Sequence, residues 1–291
     1  MNSQIKRTLL GAVLAVPVLG VAPALANEGS ELLRSMQSAV HSLSYHGKLV
    51  FSKGGELSEY QIEHQPGQGS SAETVIKLDK DNTASGQQQF SLINSNSLRL
   101  PNQQAYSIDI GGEARVAGLP CKVVVVRPKD KMRYLHRYCI SPDSGMLLRY
   151  SVMNRQQQLL EQFMFTQLSV GAGGQAQQNS EVIQRAPVAA DNMMPETWDF
   201  SDLPRGFDVT QVSQIPGKAN AHQIVLSDGL TFVSVFIEPG DVTGDTKKHF
   251  PASGATNILT HKTAQHTVTM VGEVPRETLQ AIQNGLRHVD P

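Results

Sequence analysis

Between Arg115 and Val170 the chain repeats one pattern, in which a run of alternating apolar and polar residues is followed by a short turn. Successive antiparallel hairpins at this spacing indicate a meander that curls into a barrel or half-barrel. We therefore expect a mostly β fold. The four predicted strands of this region are Leu119 to Arg127, Met132 to Ile140, Met146 to Met153 and Gln158 to Val170.

The residues before this region predict one helix and then further strands. Ser30 to Leu43 is amphipathic, with Leu32, Met36 and Val40 on one face, and Ser30 is a suitable N-cap. The period then changes to two, which is typical of strands. The predicted strands are Tyr45 to Phe51, Leu57 to His64, Glu73 to Leu78, Gln89 to Ile93 and Gln104 to Ile110.

The chain has two cysteines, Cys121 and Cys139, one in each strand of the first predicted hairpin. If that hairpin is centred on Asp130, the two cysteines face each other directly and are close enough for a disulfide. The bridge would close a loop of about 19 residues and stabilise by roughly 3 kcal/mol. The alternative is two free, buried thiols that pack as small hydrophobes.

Composition changes after Val170. Residues 171–196 are rich in Gly, Gln and Ala and poor in large apolar side chains, which predicts an interdomain linker. The first domain would then span 27–170 and a smaller domain 197–291. The second domain is predicted to hold strands His222 to Leu226, Thr231 to Ile237 and Thr267 to Val274, and a final helix that opens at Pro275. The predicted fold class is α+β, mostly β.

Residues 1–26 have the features of a secretory signal peptide. Lys6 and Arg7 precede an uncharged apolar run, and Ala24-Leu25-Ala26 is a suitable cleavage site. Pro17 and Pro23 and the cleavage site argue against a membrane anchor. Cysteine does not follow Ala26, so a lipid attachment site is not expected. We therefore expect an exported protein of the bacterial periplasm.

The sequence holds no recognisable catalytic motif. Gly-x-Ser-x-Gly and His-Glu-x-x-His are both missing, and the nine histidines lack the spacing of metal ligands. Charge is nearly balanced, with 25 basic and 26 acidic residues, so a nucleic-acid-binding face is not expected. We therefore predict that the protein is not an enzyme and needs no metal or cofactor.

Four arginines of the hairpin region are predicted to lie near one another: Arg127, Arg133, Arg137 and Arg149. They are either ordinary exposed strand residues or a surface for an anionic head group or an acidic partner segment.

Several short strings, in order along the chain, resemble the RseB/MucB family of periplasmic sigma-factor regulators. Residues 115–121 (RVAGLPC) are similar to a family strand, and Leu160 to Thr166 (LEQFMFT) to another. The other matching strings are Pro128 to Asp130 with Arg133-Tyr134, Gly145 to Arg149, Leu203 to Phe207, Ser227 to Leu230, Ser234 to Glu238 and Thr269 to Pro275.

The resemblance implies a fold and a role. The first domain would be an unclosed antiparallel β-barrel like that of the lipoprotein carriers LolA and LolB, with a helix on its concave side, and the second domain would be α+β. The protein would bind the periplasmic region of an RseA- or MucA-like anti-sigma factor and shield it from site-one proteolysis. Lipopolysaccharide or another lipid would release it during envelope stress. The main alternative is a periplasmic lipoprotein carrier or lipid-binding chaperone. Assembly into a homo-oligomer is a further possibility.

Candidate site residues follow from these strings and from alternation. The candidates for lining a lipid cavity are Leu49, Phe51, Val123, Val125, Phe163 and Phe165, although the same residues would also pack on the first helix. The candidates for contacting the partner are Arg205, Phe207, Asp228, Gly229 and Phe236. The chain departs from the family pattern between Leu78 and Arg115, where the shortened segment leaves the cavity size open.

Overall fold

The computed structural model describes residues 22–66, 72–78, 92, 99–171, 198–240 and 244–289. The predicted linker beyond Gly171, most of the predicted signal peptide and the predicted strand Gln89 to Ile93, apart from Leu92, lie outside these ranges. The predicted domain boundaries therefore stay a prediction. The described residues form two halves, 22–171 and 198–289, which we call the N-terminal half and the C-terminal half.

Eight antiparallel strands form the sheet of the N-terminal half. Their spatial order is β3-β2-β1-β8-β7-β6-β5-β4, so consecutive strands are neighbours except where β1 pairs with β8. Among the described residues β3 and β4 are unpaired edges, and the barrel is therefore open. The strands are β1 Tyr45–Lys53, β2 Glu56–Gln65, β3 Ala72–Leu78, β4 Tyr106–Val116, β5 Leu119–Pro128, β6 Leu135–Ile140, β7 Leu147–Met153 and β8 Leu159–Val170.

Helix α1, Ala22–Ser42, packs on the concave face of this sheet. Leu33, Met36 and Val40 recur along its inner side, and all three are fully buried in the core of the sheet. The helix begins eight residues before the predicted start, so the prediction of Ser30 as its N-cap is wrong. Ala22, Ala24, Leu25 and Ala26 favour helix, which explains why it continues through this stretch. These residues lie in the predicted signal peptide, so the mature chain would keep α1 from Asn27 onwards.

Contacts along α1 hold it to the sheet. Glu28 forms an ion pair with Lys122 of β5 near the start of the helix, and the backbone carbonyl of Leu43, just after its end, lies 2.8 Å from Nδ1 of His64 on β2. Gly145 lies against the middle of the helix with a φ of 74°, and a Cβ there would approach Ser35 Oγ to 2.4 Å. Only glycine fits this turn without strain.

Cys121 and Cys139 form a disulfide in the structure, with Cα atoms 5.4 Å apart. The register differs from the predicted one by two residues, because Cys139 lies opposite Val123 and not opposite Cys121. A shift of two residues keeps both side chains on the same face of the sheet, so the bridge forms diagonally.

The C-terminal half is a six-stranded antiparallel sheet in the order β10-β11-β12-β15-β14-β13, covered by helix α2, Arg276–Gly285. A short pair, β9 with β16, adjoins it. The strands are β9 Trp198–Phe200, β10 Asp208–Gln214, β11 His222–Ser227, β12 Phe232–Pro239, β13 Thr246–Ser253, β14 Thr256–Lys262, β15 His266–Gly272 and β16 Leu286–His288. The mostly β, α+β fold class is confirmed.

Five of these strands, β9, β10, β13, β14 and β16, were not predicted from the sequence. β13 shows why, since it is an edge strand with Lys247, Lys248 and Pro251 and lacks an apolar alternation. Lysine and proline are common on edge strands, where they block pairing with another chain.

Candidate functional site

The turn between β11 and β12 joins the two halves of the molecule. Leu230, at the tip of this turn, is 1% exposed and belongs to the apolar core of the N-terminal half. Asp228, two residues earlier, is also fully buried. Asp-Gly at residues 228–229 makes the turn tight, and Gly229 adopts a φ of 92° that suits glycine. The turn therefore inserts one apolar and one charged side chain into the other half.

Five hydrogen bonds satisfy the Asp228 carboxylate. Its Oδ1 accepts from the backbone N–H groups of Leu230 (3.0 Å) and Thr231 (2.8 Å) and from Thr231 Oγ1 (3.2 Å). Its Oδ2 accepts from Tyr106 Oη at 2.8 Å and from Arg133 Nε at 2.5 Å. A buried carboxylate is tolerated only when it is paired and hydrogen-bonded in this way.

Arg133 is the partner charge, and it is 0% exposed. Besides Asp228, its guanidinium donates to the Asp130 carboxylate and to the backbone carbonyl of Arg205. The guanidinium carbon lies 4.9 Å from the centre of the Phe207 ring, within the range of a cation–π contact. One arginine thus connects the β5–β6 turn of the N-terminal half to two segments of the C-terminal half.

A series of ring contacts leads from this ion pair into the core under α1. Tyr106 meets His136 edge-on with ring centres 6.2 Å apart, and His136 Nδ1 lies 2.7 Å from Tyr150 Oη. The Tyr150 ring lies 6.0 Å from Phe163, which in turn meets Phe165. Burial, reinforced by the charge of Asp228, holds the pKa of Tyr106 well above its usual value, so its hydroxyl keeps its proton and donates.

A second group of contacts fixes the other side of the junction. The turn between β13 and β14 inserts Ala255, whose N–H donates to Glu161 Oε1 at 2.9 Å, and Lys53 bonds both Glu161 and Thr256 at 3.0 Å.

The β5–β6 turn also contributes to this side of the junction. Its Met132 carbonyl accepts from Thr278 Oγ1 at 2.6 Å, and Tyr134 Oη accepts from Asn257 Nδ2 at 3.0 Å.

The structure brings four of the five candidate partner-contacting residues to this junction. Asp228 and Gly229 form the inserted turn, and Phe207 and the backbone of Arg205 contact Arg133. Phe236 lies apart from them in β12, where it is half-buried and paired with Thr269. Four of these positions therefore hold the two halves together in this structure.

The candidate cavity residues divide between the two faces of the first sheet. Leu49 and Phe51 pair with Phe165 and Phe163, and all four lie on the concave face, with only Phe51 less than fully buried. On successive strands Phe163 lies opposite Tyr150, Tyr150 opposite Tyr138, and Tyr138 opposite Val124. Val124 therefore lies on the same face of the sheet as Phe163. Because side chains alternate along a strand, neighbouring residues of β5 lie on opposite faces.

It follows that the prediction of Val123 and Val125 as residues of the concave face is wrong. Both lie on the convex face, with the disulfide. Residues 123–126 are four valines in succession, so alternation is missing and the inward residues cannot be distinguished from the outward ones.

Sequence reasoning missed Arg133, Tyr106 and His136 as members of the site. Arg133 stood among the four grouped arginines, but only Arg133 is buried, and Arg137 and Arg149 lie on the convex face with Cys139. The only sequence signal for this site is the pair Arg133-Tyr134 in the β5–β6 turn. Because turn residues are usually polar and exposed, the pair does not by itself indicate a buried arginine.

Two further observations concern other kinds of site. Within the described ranges, no group of three or more His, Cys, Asp or Glu residues is arranged to hold a metal ion. Neither helix, over the residues described, is long and apolar enough to cross a membrane.

These features define a class of protein in which an open antiparallel sheet with one helix in its concave face is joined through a buried ion pair to a smaller α+β unit. Sequence profiles identify the family. The MucB/RseB N-terminal domain matches residues 28–94 and 80–191, and the MucB/RseB C-terminal domain matches 192–287. The chain belongs to the MucB/RseB family.

Individual relatives agree with this assignment. The sigma factor AlgU regulatory protein MucB of Pseudomonas aeruginosa is 30% identical over 306 residues, covering 96% of this chain and 95% of the relative. The sigma-E factor regulatory protein RseB of Haemophilus influenzae is 23% identical and covers 92% and 94%. The solved P. aeruginosa MucA/MucB complex contains a chain that is 28% identical, with a TM-score of 0.71, and the match covers 91% of this chain and all of that one. The relatives are thus regulatory proteins.

The ion pair predicts a large effect of removing either charge. Arg133→Met and Asp228→Asn should each lower the free energy of unfolding by about 3–5 kcal/mol, because the remaining group is left buried without its partner. The double variant should lose less than the sum of the two. Urea unfolding followed by far-UV circular dichroism and by Trp198 fluorescence measures this loss. It also shows whether the C-terminal half, which holds Trp198, now unfolds separately.

The matched control is Arg127→Met, since Arg127 pairs with Asp109 at 3.4 Å while both side chains are 53% exposed. Its loss should stay below about 1 kcal/mol. Equal stability of Arg133→Met and this control would show that the buried pair does not hold the halves together.

His136 predicts a dependence of stability on pH. Burial lowers its pKa from 6.5 to about 4, against the smaller opposite effect of Asp228. The unfolded chain binds a proton at His136 at a higher pH than the folded protein does. The stability that the neutral, buried His136 contributes is therefore fully present above pH 6.5 and is lost as the pH falls towards 4. Through this group alone the folded state should lose about 3 kcal/mol. His136→Gln should unfold with a shallower pH dependence between these values, and His41→Gln, on the exposed side of α1, should not.

Proposed function

We propose that this protein binds the periplasmic region of a membrane anti-sigma factor and thereby controls release of a sigma factor. The observation that carries the proposal is the match of both halves to MucB and RseB, whose names describe sigma factor regulation. Two solved structures of MucB with MucA are matched over their whole MucB chains, with TM-scores of 0.69 and 0.71. The likeness extends over the whole MucB chain of both complexes, and this supports the proposal.

The proposed place of action is the periplasm. The signal-peptide features of residues 1–26 support export, and the two cysteines, bonded to each other in the structure, suit an oxidising compartment. The proposed mode of action is binding without chemistry. A bound regulator covers a segment of the anti-sigma factor and so withholds it from a site-one protease.

The proposed signal is a lipid or lipopolysaccharide that enters between α1 and the concave face. That face is apolar, and in this structure the helix covers it with Leu33, Met36 and Val40. An acyl chain gains about 0.8 kcal/mol for each methylene that it buries. It would therefore replace the helix side chains on the concave face, and the helix would have to move outwards.

The proposed coupling runs through the ring contacts already described. Phe163 touches Tyr150, Tyr150 bonds His136, and His136 meets Tyr106, which bonds Asp228. An acyl chain that displaces Phe163 would disturb this series of contacts and thus the arrangement of the two halves. Coupling between two such sites is typically about 1–3 kcal/mol, or 5- to 150-fold in affinity.

Titration tests the binding and its regulation together. The full mature protein is titrated with the periplasmic region of the cognate anti-sigma factor, with and without lipopolysaccharide, by isothermal calorimetry. We expect binding that lipopolysaccharide weakens by about 5- to 150-fold. Lack of binding in both conditions would refute the proposed function. A stoichiometric lipoprotein recovered with the protein from periplasm would favour the lipoprotein-carrier alternative.

A tether on α1 tests the route of the lipid. A Cβ built on Gly29 would meet Ile108 Cγ2 at 2.7 Å, so residues 29 and 108 are neighbours, and Gly29→Cys with Ile108→Cys is designed to form a disulfide that fixes the helix to β4. The tethered protein should bind lipopolysaccharide about tenfold or more weakly, since the helix can no longer move away. Gly29→Ser with Ile108→Ser is the matched control. Equal lipopolysaccharide binding by the two double variants would exclude this route.

A further inference from the structure

A cleft of about 550 Å³ lies beside the junction, between two neighbouring hairpin turns. One wall is the β5–β6 turn, residues 129–134, and the other is the β7–β8 turn, residues 154–158. Its size is that of many ligand sites, but its lining is not, because Pro128 and Leu135 are its only apolar side chains. The cleft therefore does not suit an acyl chain.

The cleft is strongly basic although the whole chain is nearly neutral. Five basic residues line it, Arg127, Lys129, Lys131, Arg133 and Arg155, and Asp130 is the one acidic residue among the lining side chains. The Asp130 carboxylate accepts from Arg133 and from the backbone N–H of Met132 at 2.9 Å. Because Arg133 is also the partner of Asp228, Asp130 offsets part of the cleft's positive charge, and the remaining cations leave the cleft with an excess of positive charge.

Arg133 is committed to Asp228 and Asp130; of the other four cations, two have weak engagements and two are available. Arg127 lies 3.4 Å from Asp109 in an exposed pair, and Lys129 donates to the backbone carbonyl of Gln103 at 2.7 Å. Lys131 and Arg155 are exposed and form no ion pair with any residue that the structure describes. Arginine binds carboxylates with two parallel hydrogen bonds, and lysine adds a point charge.

We propose that this cleft docks an acidic segment of the protein partner, and this inference rests on the proposed function above. Charge complementarity selects the occupant, and the scarcity of apolar lining favours a polypeptide with carboxylates over a lipid. The cleft is continuous with the junction, since Arg133 and Asp130 line it from below. Exposed charges of this kind speed association with a partner of opposite charge and make the affinity depend on salt.

Charge reversal in the cleft tests the proposal on the full mature protein. The probe is the periplasmic region of the cognate anti-sigma factor, and its association rate and affinity are measured by surface plasmon resonance between low and high salt. Lys131→Glu with Arg155→Glu should weaken binding about tenfold or more, mainly through slower association, and should flatten the salt dependence. Both side chains are exposed, and circular dichroism checks that the variant is folded.

The matched control is Lys247→Glu with Arg287→Glu, which makes the same change of net charge at exposed positions of the C-terminal half. It should bind within about twofold of the unaltered protein. Equal binding by the cleft variant and this control, with the unaltered protein binding normally, overturns the cleft proposal and leaves the proposed function intact. Failure of the unaltered protein to bind overturns both.

A second experiment distinguishes the two possible anionic ligands of the cleft, an acidic partner segment and lipid head groups. The same variants are mixed with phosphatidylglycerol vesicles and with neutral phosphatidylcholine vesicles in a flotation assay. Loss of phosphatidylglycerol binding in the cleft variant, with partner binding unchanged, assigns the cleft to lipid head groups and overturns the proposal. Reduced partner binding with unchanged vesicle binding supports it.

Discussion

Asp228 lies in a tight turn of the C-terminal half, and its charge is neutralised by Arg133 of the N-terminal half. Both side chains are 0% exposed, so neither charge is tolerated in its buried position without the other. A buried ion pair adds little net stability compared with apolar packing, but losing one member is strongly destabilising. The pair therefore acts mainly on geometry. It fixes where the turn enters, while Leu230 beside it supplies the apolar contact.

The second constraint is that α1 covers the concave face of an open sheet. An open barrel of this size leaves an apolar surface that something must cover, and here Leu33, Met36 and Val40 cover it. The same helix is held by polar contacts at Glu28 and at the Leu43 carbonyl. The apolar face is thus covered by apolar contacts, and the helix is held near both ends by polar ones.

Sequence reasoning succeeded where alternation or turn chemistry was clear. The four strands from Leu119 to Val170 were predicted within a few residues, as was the hairpin at Asp228-Gly229. The final helix begins at its predicted start but ends at Gly285, because Leu286, predicted on its apolar side, belongs to β16 and pairs with Phe200 of β9. Sequence reasoning was wrong about Val123 and Val125, because four successive valines carry no inward or outward signal. It could not find the Asp228–Arg133 pair. Aspartate in an Asp-Gly turn is already explained by local hydrogen bonds to residues 230 and 231, so nothing local reveals its contact 95 residues away.

The β5–β6 turn unites the two sites. Within three successive residues it provides the Met132 carbonyl for Thr278, the Arg133 guanidinium for Asp228 and the Tyr134 hydroxyl for Asn257. Lys131, next to them, lines the basic cleft. Hydrogen bonds weaken steeply once their geometry is lost, so a small movement of this turn acts on all three contacts together. The lining of the cleft and the contacts between the two halves therefore share the residues of one turn.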